Sequence, residues 1–304
     1  MSNWEMVGHI NWADLLRKKL PNKNIRMNSL IISLPDFFET NDSPMDISIR
    51  TCHDIQSKHE GPYTLLVSGG VDSQAMMLAW KNSGIPFRAV HYSYTNLNNV
   101  DTQTLHQFSL KHQIPVEIRV FDVLSYFKSD SYIKDACEYD CVSPHILSYI
   151  KFTSKHQETC IMSGNFIISG NSGLNWTILG LDRFRRDKKN NFVPFFFFNN
   201  PHIAYCFDSK GKLSDELGVS VTSKDWYTLK CQMLINSGFD IIPQKNKMTG
   251  FEIIKEMYDS HRVPSHLRIK YGHLPSKRPF DLLLRYSLFD KLPLGQYSDI
   301  TELR

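Results

Sequence analysis

The sequence predicts an α/β fold: a parallel sheet with helices on both faces, followed by a mostly helical C-terminal appendage. Three observations carry this expectation. From Tyr63 onward, short apolar runs of β character alternate with stretches of helical periodicity. The order strand, helix, strand, helix, strand is that of a parallel sheet with crossover helices. Beyond residue 175 the alternation decays, and the remaining periodic stretches read as helices. The expected division is 1–58 as an N-terminal extension or small subdomain, 59–180 as the α/β unit, and 181–304 as the helical region.

The elements follow in order. Leu30 to Leu34 reads as a strand, and Ser43-Pro44-Met45-Asp46 as a turn and helix start. Ile47, Ile49, Cys52 and Ile55 then recur at roughly helical spacing up to Gly61-Pro62. Tyr63 to Val67 is a buried-type strand that runs directly into Ser68-Gly69-Gly70. Ser73 to Ser83 is helical and closed by Gly84, and Phe87 to Tyr94 is the second strand. Val100 to His112 is the second helix of the unit, with Leu105, Phe108 and His112 along one face, and Pro115 to Val123 the third strand. A helical stretch around His145 to His156 precedes a fourth strand, Glu158 to Ser163. Helices are expected at Thr222 to Ser237, Gly250 to Ser260 and Pro279 to Leu288.

Composition sets outer bounds. With 304 residues, 41% apolar and 22% charged, the chain can bury a core without disulfides or structural metals. The net charge of +4 suits an anionic ligand but does not by itself indicate nucleic-acid binding. The N-terminus lacks the basic start and apolar core of a signal peptide. No stretch approaches the ~18 apolar residues of a membrane span. The six cysteines have no disulfide-framework spacing, so a reducing, cytoplasmic setting is expected.

The segment that carries chemistry is Ser68-Gly69-Gly70-Val71-Asp72-Ser73. Glycines at a strand-to-helix turn let backbone approach a phosphate without a Cβ in the way. The helix that follows turns free N–H groups and a positive partial charge toward an anion. Ser68 and Ser73 add hydroxyl donors. Asp72 would repel a phosphate unless a cation intervened, which makes it a candidate Mg²⁺ ligand. The spacing is that of neither a Walker A loop nor a Gly-x-Gly-x-x-Gly fingerprint.

These six residues resemble the SGGxDS signature of the N-type PP-loop ATP pyrophosphatases, most in the style of the synthetase domain of asparagine synthetase. The resemblance spans roughly residues 50 to 175. It implies an adenine nucleotide alpha hydrolase-like (HUP-type) fold with ATP and Mg²⁺ as cofactors. ATP would be cleaved between its α and β phosphates, and a carboxylate or carbonyl oxygen adenylated for attack by a nitrogen nucleophile. It places Ser68, Gly69, Gly70, Val71, Asp72 and Ser73 around the phosphates. It places the backbone of His91, Tyr92 and Ser93, at the end of the second strand, against adenine. After the fourth strand, Ser163 and Gly164 would lie over the adenylate. Asn165 would lie beside them as a catalytic candidate, where asparagine synthetases carry acidic residues after the glycine.

Several further positions stay open. Asp101 is either a first-turn helix acid or a ligand-facing carboxylate. Lys247 is a catalytic candidate for the phosphates, with Lys245, Arg278 and Arg285 as further ones. Cys137, Cys141 and His145 are spaced as metal ligands or as a core stripe, although Pro144 interrupts a helix there and no fourth ligand is evident. The run Asp182 to Lys189 is either an exposed loop or a polyanion contact. About 60 residues precede the motif and position 2 is Ser2, so no fused glutaminase domain is expected. The nitrogen would come from free ammonia, an amine substrate or a separate ammonia-supplying subunit. Two alternatives stand beside the ligase: a PP-loop enzyme that modifies tRNA or a nucleobase, and a nucleotide-binding subunit without catalysis.

Overall fold

The computed structural model describes residues 24–27, 30–33, 41–95, 97–128, 135, 144–163, 191–193, 196–198, 200, 203 and 223–244. Element numbers below count the described elements only. Strands β1 (Asn24–Met27) and β2 (Leu30–Ser33) pair antiparallel in a small sheet of their own.

Helix α1 (Pro44–Lys58) starts where the sequence places it, because Ser43 and Asp46 form a reciprocal capping box with Pro44 in the first turn. The Ser43 hydroxyl accepts from the Asp46 N–H at 3.1 Å, and the Asp46 carboxylate accepts from the Ser43 N–H at 3.3 Å. Its buried stripe of Ile47, Thr51, Cys52 and Ile55 packs on α2 (Val71–Ser83).

The large sheet has the order β5-β4-β3-β6-β7, and every pairing is parallel. Its strands are β3 (Tyr63–Val67), β4 (Phe87–Ser93), β5 (Val116–Val120), β6 (Thr159–Met162) and β7 (Phe192–Val193). The central strand β3 is buried along its whole length, as its unbroken apolar run requires when helices cover both faces. Alternation along β4 shows the two coverings. His91 faces α3 (Asn99–His112) and meets Thr102, whereas Tyr92 faces α5 (Pro144–Thr153) and stacks on Phe152 with ring centroids 4.0 Å apart. Helix α2 is buried from Ser73 to Trp80, being held between α1 and the sheet, and it ends at the left-handed Gly84.

One boundary and one strand differ from expectation. The third strand stops at Val120 because Asp122 starts helix α4 (Val123–Lys128), accepting from the Ser125 N–H at 2.9 Å and the Ser125 hydroxyl at 2.6 Å. The fifth strand, Phe192–Val193, is not among the expected strands. Val193, with Phe196, Phe197 and Ile203, joins the core cluster built around β3 and α2. Helix α6 (Ser223–Asn236) confirms the expected Thr222–Ser237 stretch, and its Cys231, Met233 and Leu234 join the same core. The expected helices at 250–260 and 279–288 lie outside the described residues. Among the described residues no helix is long and apolar enough to cross a membrane.

At the amino ends of the strands, on the α5 face, charges cross the sheet. Glu158 pairs with Arg88 and accepts from Thr64 at 2.9 Å and from His156 at 2.9 Å. Burial pushes the Glu158 carboxyl up, but the bonds from His156, its own backbone and Thr64 outweigh this and hold it down at about 2. Its usual value is 4.5, so its stabilisation is complete above about pH 4.5 and fades as pH falls toward 2. We predict that Glu158→Gln loses about 2 kcal/mol in urea unfolding at pH 7, and that the difference from wild type shrinks steadily between pH 4.5 and 2.

Candidate functional site

β4 and β5 follow β3 on one side, and the chain then returns to lay β6 on the other. In open α/β sheets, such a reversal leaves a crevice at the carboxyl ends of the diverging strands. Residues 68–73 leave the end of β3 and Ser163 leaves the end of β6, so both border this crevice.

The loop is held by its own hydroxyls. The Ser68 N–H donates to the Ser73 hydroxyl at 3.1 Å, the two hydroxyls lie 3.1 Å apart, and the Gly70 N–H donates to Ser68 Oγ at 3.3 Å. Ser163 Oγ is 3.4 Å from Ser73 Oγ, which ties β6 to the loop. The Ser68 side chain also bonds the buried Tyr149 hydroxyl of α5. Gly70 is the N-cap of α2 and, having no side chain, leaves the first turn without a side-chain cap.

The two glycines have different reasons. Gly69 has φ +87°, and a Cβ there would lie 2.9 Å from the Asp101 carbonyl carbon and closer still to its oxygen. Glycine at 69 is therefore required by the packing of the loop on α3. Gly70 has φ −67°, and a Cβ there would meet only Ser68 Oγ at 3.4 Å. Nothing described in the fold demands glycine at 70, whereas a ligand lying close to the backbone would.

Asp72 stands in the first turn of α2 and pairs with Lys230 of α6 at 2.6 Å. Lys230 is buried, and the Asp72 side chain is 18% exposed. The other carboxylate oxygen, Asp72 Oδ1, is buried and has no hydrogen-bond partner among the described residues. A buried, unpartnered carboxylate oxygen beside an uncapped helix start is the kind of acceptor a hard cation takes. Among the described residues no group of three His, Cys, Asp or Glu could hold a metal by protein ligands alone. A cation at Asp72 would need oxygen ligands from outside the described side chains.

A second layer fixes α6 in place. Gln74 donates to the Gly69 carbonyl at 2.8 Å and the Ile242 carbonyl at 3.0 Å, and accepts from the Ile242 N–H at 2.6 Å. Gln244 donates to Asp101 Oδ1 at 2.5 Å, and its own N–H donates to the Tyr227 hydroxyl at 3.0 Å. Burial, with the charge of Asp101 added, pushes the Tyr149 hydroxyl well above its usual range, so it stays a neutral partner for Ser68. Comparison with protein-family models and with curated proteins finds no match.

At the end of β4 the side chain of His91 is committed to the fold. Its Nδ1–H donates to the Val67 carbonyl at 2.9 Å, since a carbonyl can only accept. Burial lowers its pKa, and Nε2 lies 2.9 Å from the Thr102 hydroxyl. The Tyr92 hydroxyl meets His156 at 2.9 Å, and the Ser93 carbonyl accepts from the Phe121 N–H at 2.8 Å. Of the other sequence candidates, Gly164, Asn165, Lys247, Lys245, Arg278, Arg285, Cys137, Cys141 and the run 182–189 lie outside the described residues. His145 sits in the first turn of α5.

Lys230, Gln74 and Gln244 were not singled out by sequence. Lys230 has a legible signal in retrospect. With Tyr227, Cys231 and Leu234 it falls on one helical stripe, and a lysine in such a stripe needs a buried partner. We predict that Gly69→Ala lowers stability by more than about 2 kcal/mol, because left-handed strain and a backbone clash add. Gly70→Ala should stay within about 0.5 kcal/mol of wild type in thermal melts and yet weaken polyphosphate binding in titration calorimetry.

Proposed function

We propose that this chain is an ATP-hydrolysing enzyme of the PP-loop type, which adenylates a carboxylate or carbonyl oxygen with release of pyrophosphate for attack by a nitrogen nucleophile. The observation that carries the reading is the unpartnered buried Oδ1 of Asp72, set between Lys230 and the uncapped start of α2. Gly70 and the first-turn N–H groups of α2 bind the phosphates from one side. Ser68, Ser73 and Ser163 offer hydroxyls whose hydrogens can rotate toward an anion. Lys230 supplies the cation that the motif itself lacks. Asp72 would hold Mg²⁺, which supplies charge neutralisation on the pyrophosphate. Catalysis is then mainly positioning and preorganised electrostatics.

The test is pyrophosphate release from ATP and Mg²⁺ across a panel of carboxylates, amines and tRNA. Asp72→Asn keeps the shape of the side chain and should lower acceptor-dependent release about a hundredfold or more. Release of phosphate in place of pyrophosphate would overturn the mechanism.

Stability separates the ion pair from its chemistry. Lys230→Met leaves the half-buried Asp72 beside no cation among the described residues and should cost about 3 kcal/mol or more. Adding Asp72→Asn to it should recover most of that loss in urea unfolding, without recovering turnover.

A further inference from the structure

β5 is the outermost strand on its side of the sheet, and no described residue pairs with its far edge. Its sequence, Val116-Glu117-Ile118-Arg119-Val120, alternates apolar and charged residues. Register assigns the two faces. Ile118 lies beside His91 and Arg119 beside Tyr92. Val116, Ile118 and Val120 therefore share the α3 face, and Glu117 and Arg119 the α5 face. The α3 face is not fully covered at this edge, because Ile118 is 51% exposed and Val120 71%. Among the described residues the large exposed apolar side chains are Leu110, Ile118, Val120 and Ile235, and three of the four belong to α3 and β5.

An open edge is a template for another strand, and charges on it ordinarily keep strangers away. The charges of β5 repel some partners and suit one. The Phe121 N–H reaches back to the Ser93 carbonyl of β4, so the alternating backbone turns the N–H and C=O groups of Val116, Ile118 and Val120 to the open side. A second β5, laid antiparallel about a two-fold axis at Ile118, would exchange hydrogen bonds between the two Ile118 residues and between Val116 of each copy and Val120 of the other.

The same axis sets Glu117 of each copy opposite Arg119 of the other, which is a favourable cross-strand pair. Within one copy Arg119 Nε already bonds Glu117 at 2.7 Å. The second copy closes that pair into a ring of alternating charges on the α5 face, while Val116, Ile118 and Val120 meet their counterparts on the α3 face. Moving the axis by one residue sets Arg119 against Arg119 or Glu117 against Glu117, so the register is specified as well.

We propose that the outer edge of β5 is an interaction surface whose partner is a second copy of this chain. The two sheets join antiparallel across an axis at Ile118 to form an isologous dimer. The surface is two strands removed from β3, so it does not depend on what the crevice binds.

Sedimentation velocity on the full chain reads the assembly state. Wild type should sediment as a dimer at micromolar concentration. Ile118→Lys brings two like charges together on the axis from an exposed position, so it should keep the wild-type circular dichroism spectrum and sediment as a monomer. Glu117→Arg makes all the facing charges positive and Arg119→Glu makes them all negative, so each alone should be monomeric. An equimolar mixture of the two should recover the dimer, because each variant supplies the charge the other lacks. A monomeric wild type overturns the proposal, as does a dimer that survives Ile118→Lys and so lies on another surface. Folded charge variants that stay monomeric when mixed overturn the axis at Ile118. The Ile118 variant decides the outcome if a charge variant fails to fold.

Discussion

The whole site hangs on one close approach, that of the Gly69 backbone to the carbonyl of Asp101. β3 must end at the edge of the crevice and the chain must enter α2 within three residues. Gly69 at φ +87° makes that turn, and the contact with α3 sets where it happens. The consequences run outward in order. The start of α2 comes to the carboxyl edge of the sheet, where Asp72 and Ser73 face the crevice. Gln74, the next residue, takes the Gly69 carbonyl and clasps Ile242. Ile242 lies six residues past the end of α6, and this clasp helps bring Lys230 onto Asp72. Asp101 closes the circuit through Gln244.

Two acids border this loop, and the fold treats them differently. Asp101 is given a neutral amide, and its charge is felt by Tyr94 and Tyr149, whose hydroxyls burial already keeps neutral. Asp72 is given a buried ammonium on one oxygen and, among the described residues, no partner on the other. Ion pairs out of water recover their desolvation only with excellent geometry and satisfied remaining lone pairs. Asp101 Oδ1 has a hydrogen-bond donor, whereas Asp72 Oδ1 has none among the described residues. A fold selected for stability alone would have closed the second oxygen.

The parts of this structure legible in the sequence are those set by local physics. β3, α2, β4 and α3 fall within two residues of expectation because apolar runs, glycine and capping residues mark their ends. The start of α1 was legible from Ser43 and Asp46 for the same reason. β7 was not, since two residues of strand carry no alternation and Phe192–Val193 reads only as a greasy patch. Lys230 and Gln244 reach the loop through tertiary packing across more than 140 residues, a distance no periodicity spans. The paired glycines were legible as a turn but not as two different constraints. Only the space around each one separates Gly69, required by packing, from Gly70, which packing leaves free.

The three hydroxyls show how such a loop can be rigid and still receptive. Ser68, Ser73 and Ser163 are linked at 3.1 and 3.4 Å, from two different strand ends. A hydroxyl is both donor and acceptor, and its hydrogen rotates with little barrier. In such a network each oxygen can keep one neighbour while its hydrogen turns outward. The groups that satisfy one another are thus the same groups that could donate to an anion, and no backbone would have to move for the exchange. Reorganisation is what weakens electrostatic stabilisation in water, and fixed donors avoid it. The Ser73 hydroxyl and the Gly70 N–H both hold the Ser68 oxygen. What remains adjustable in this network is proton direction.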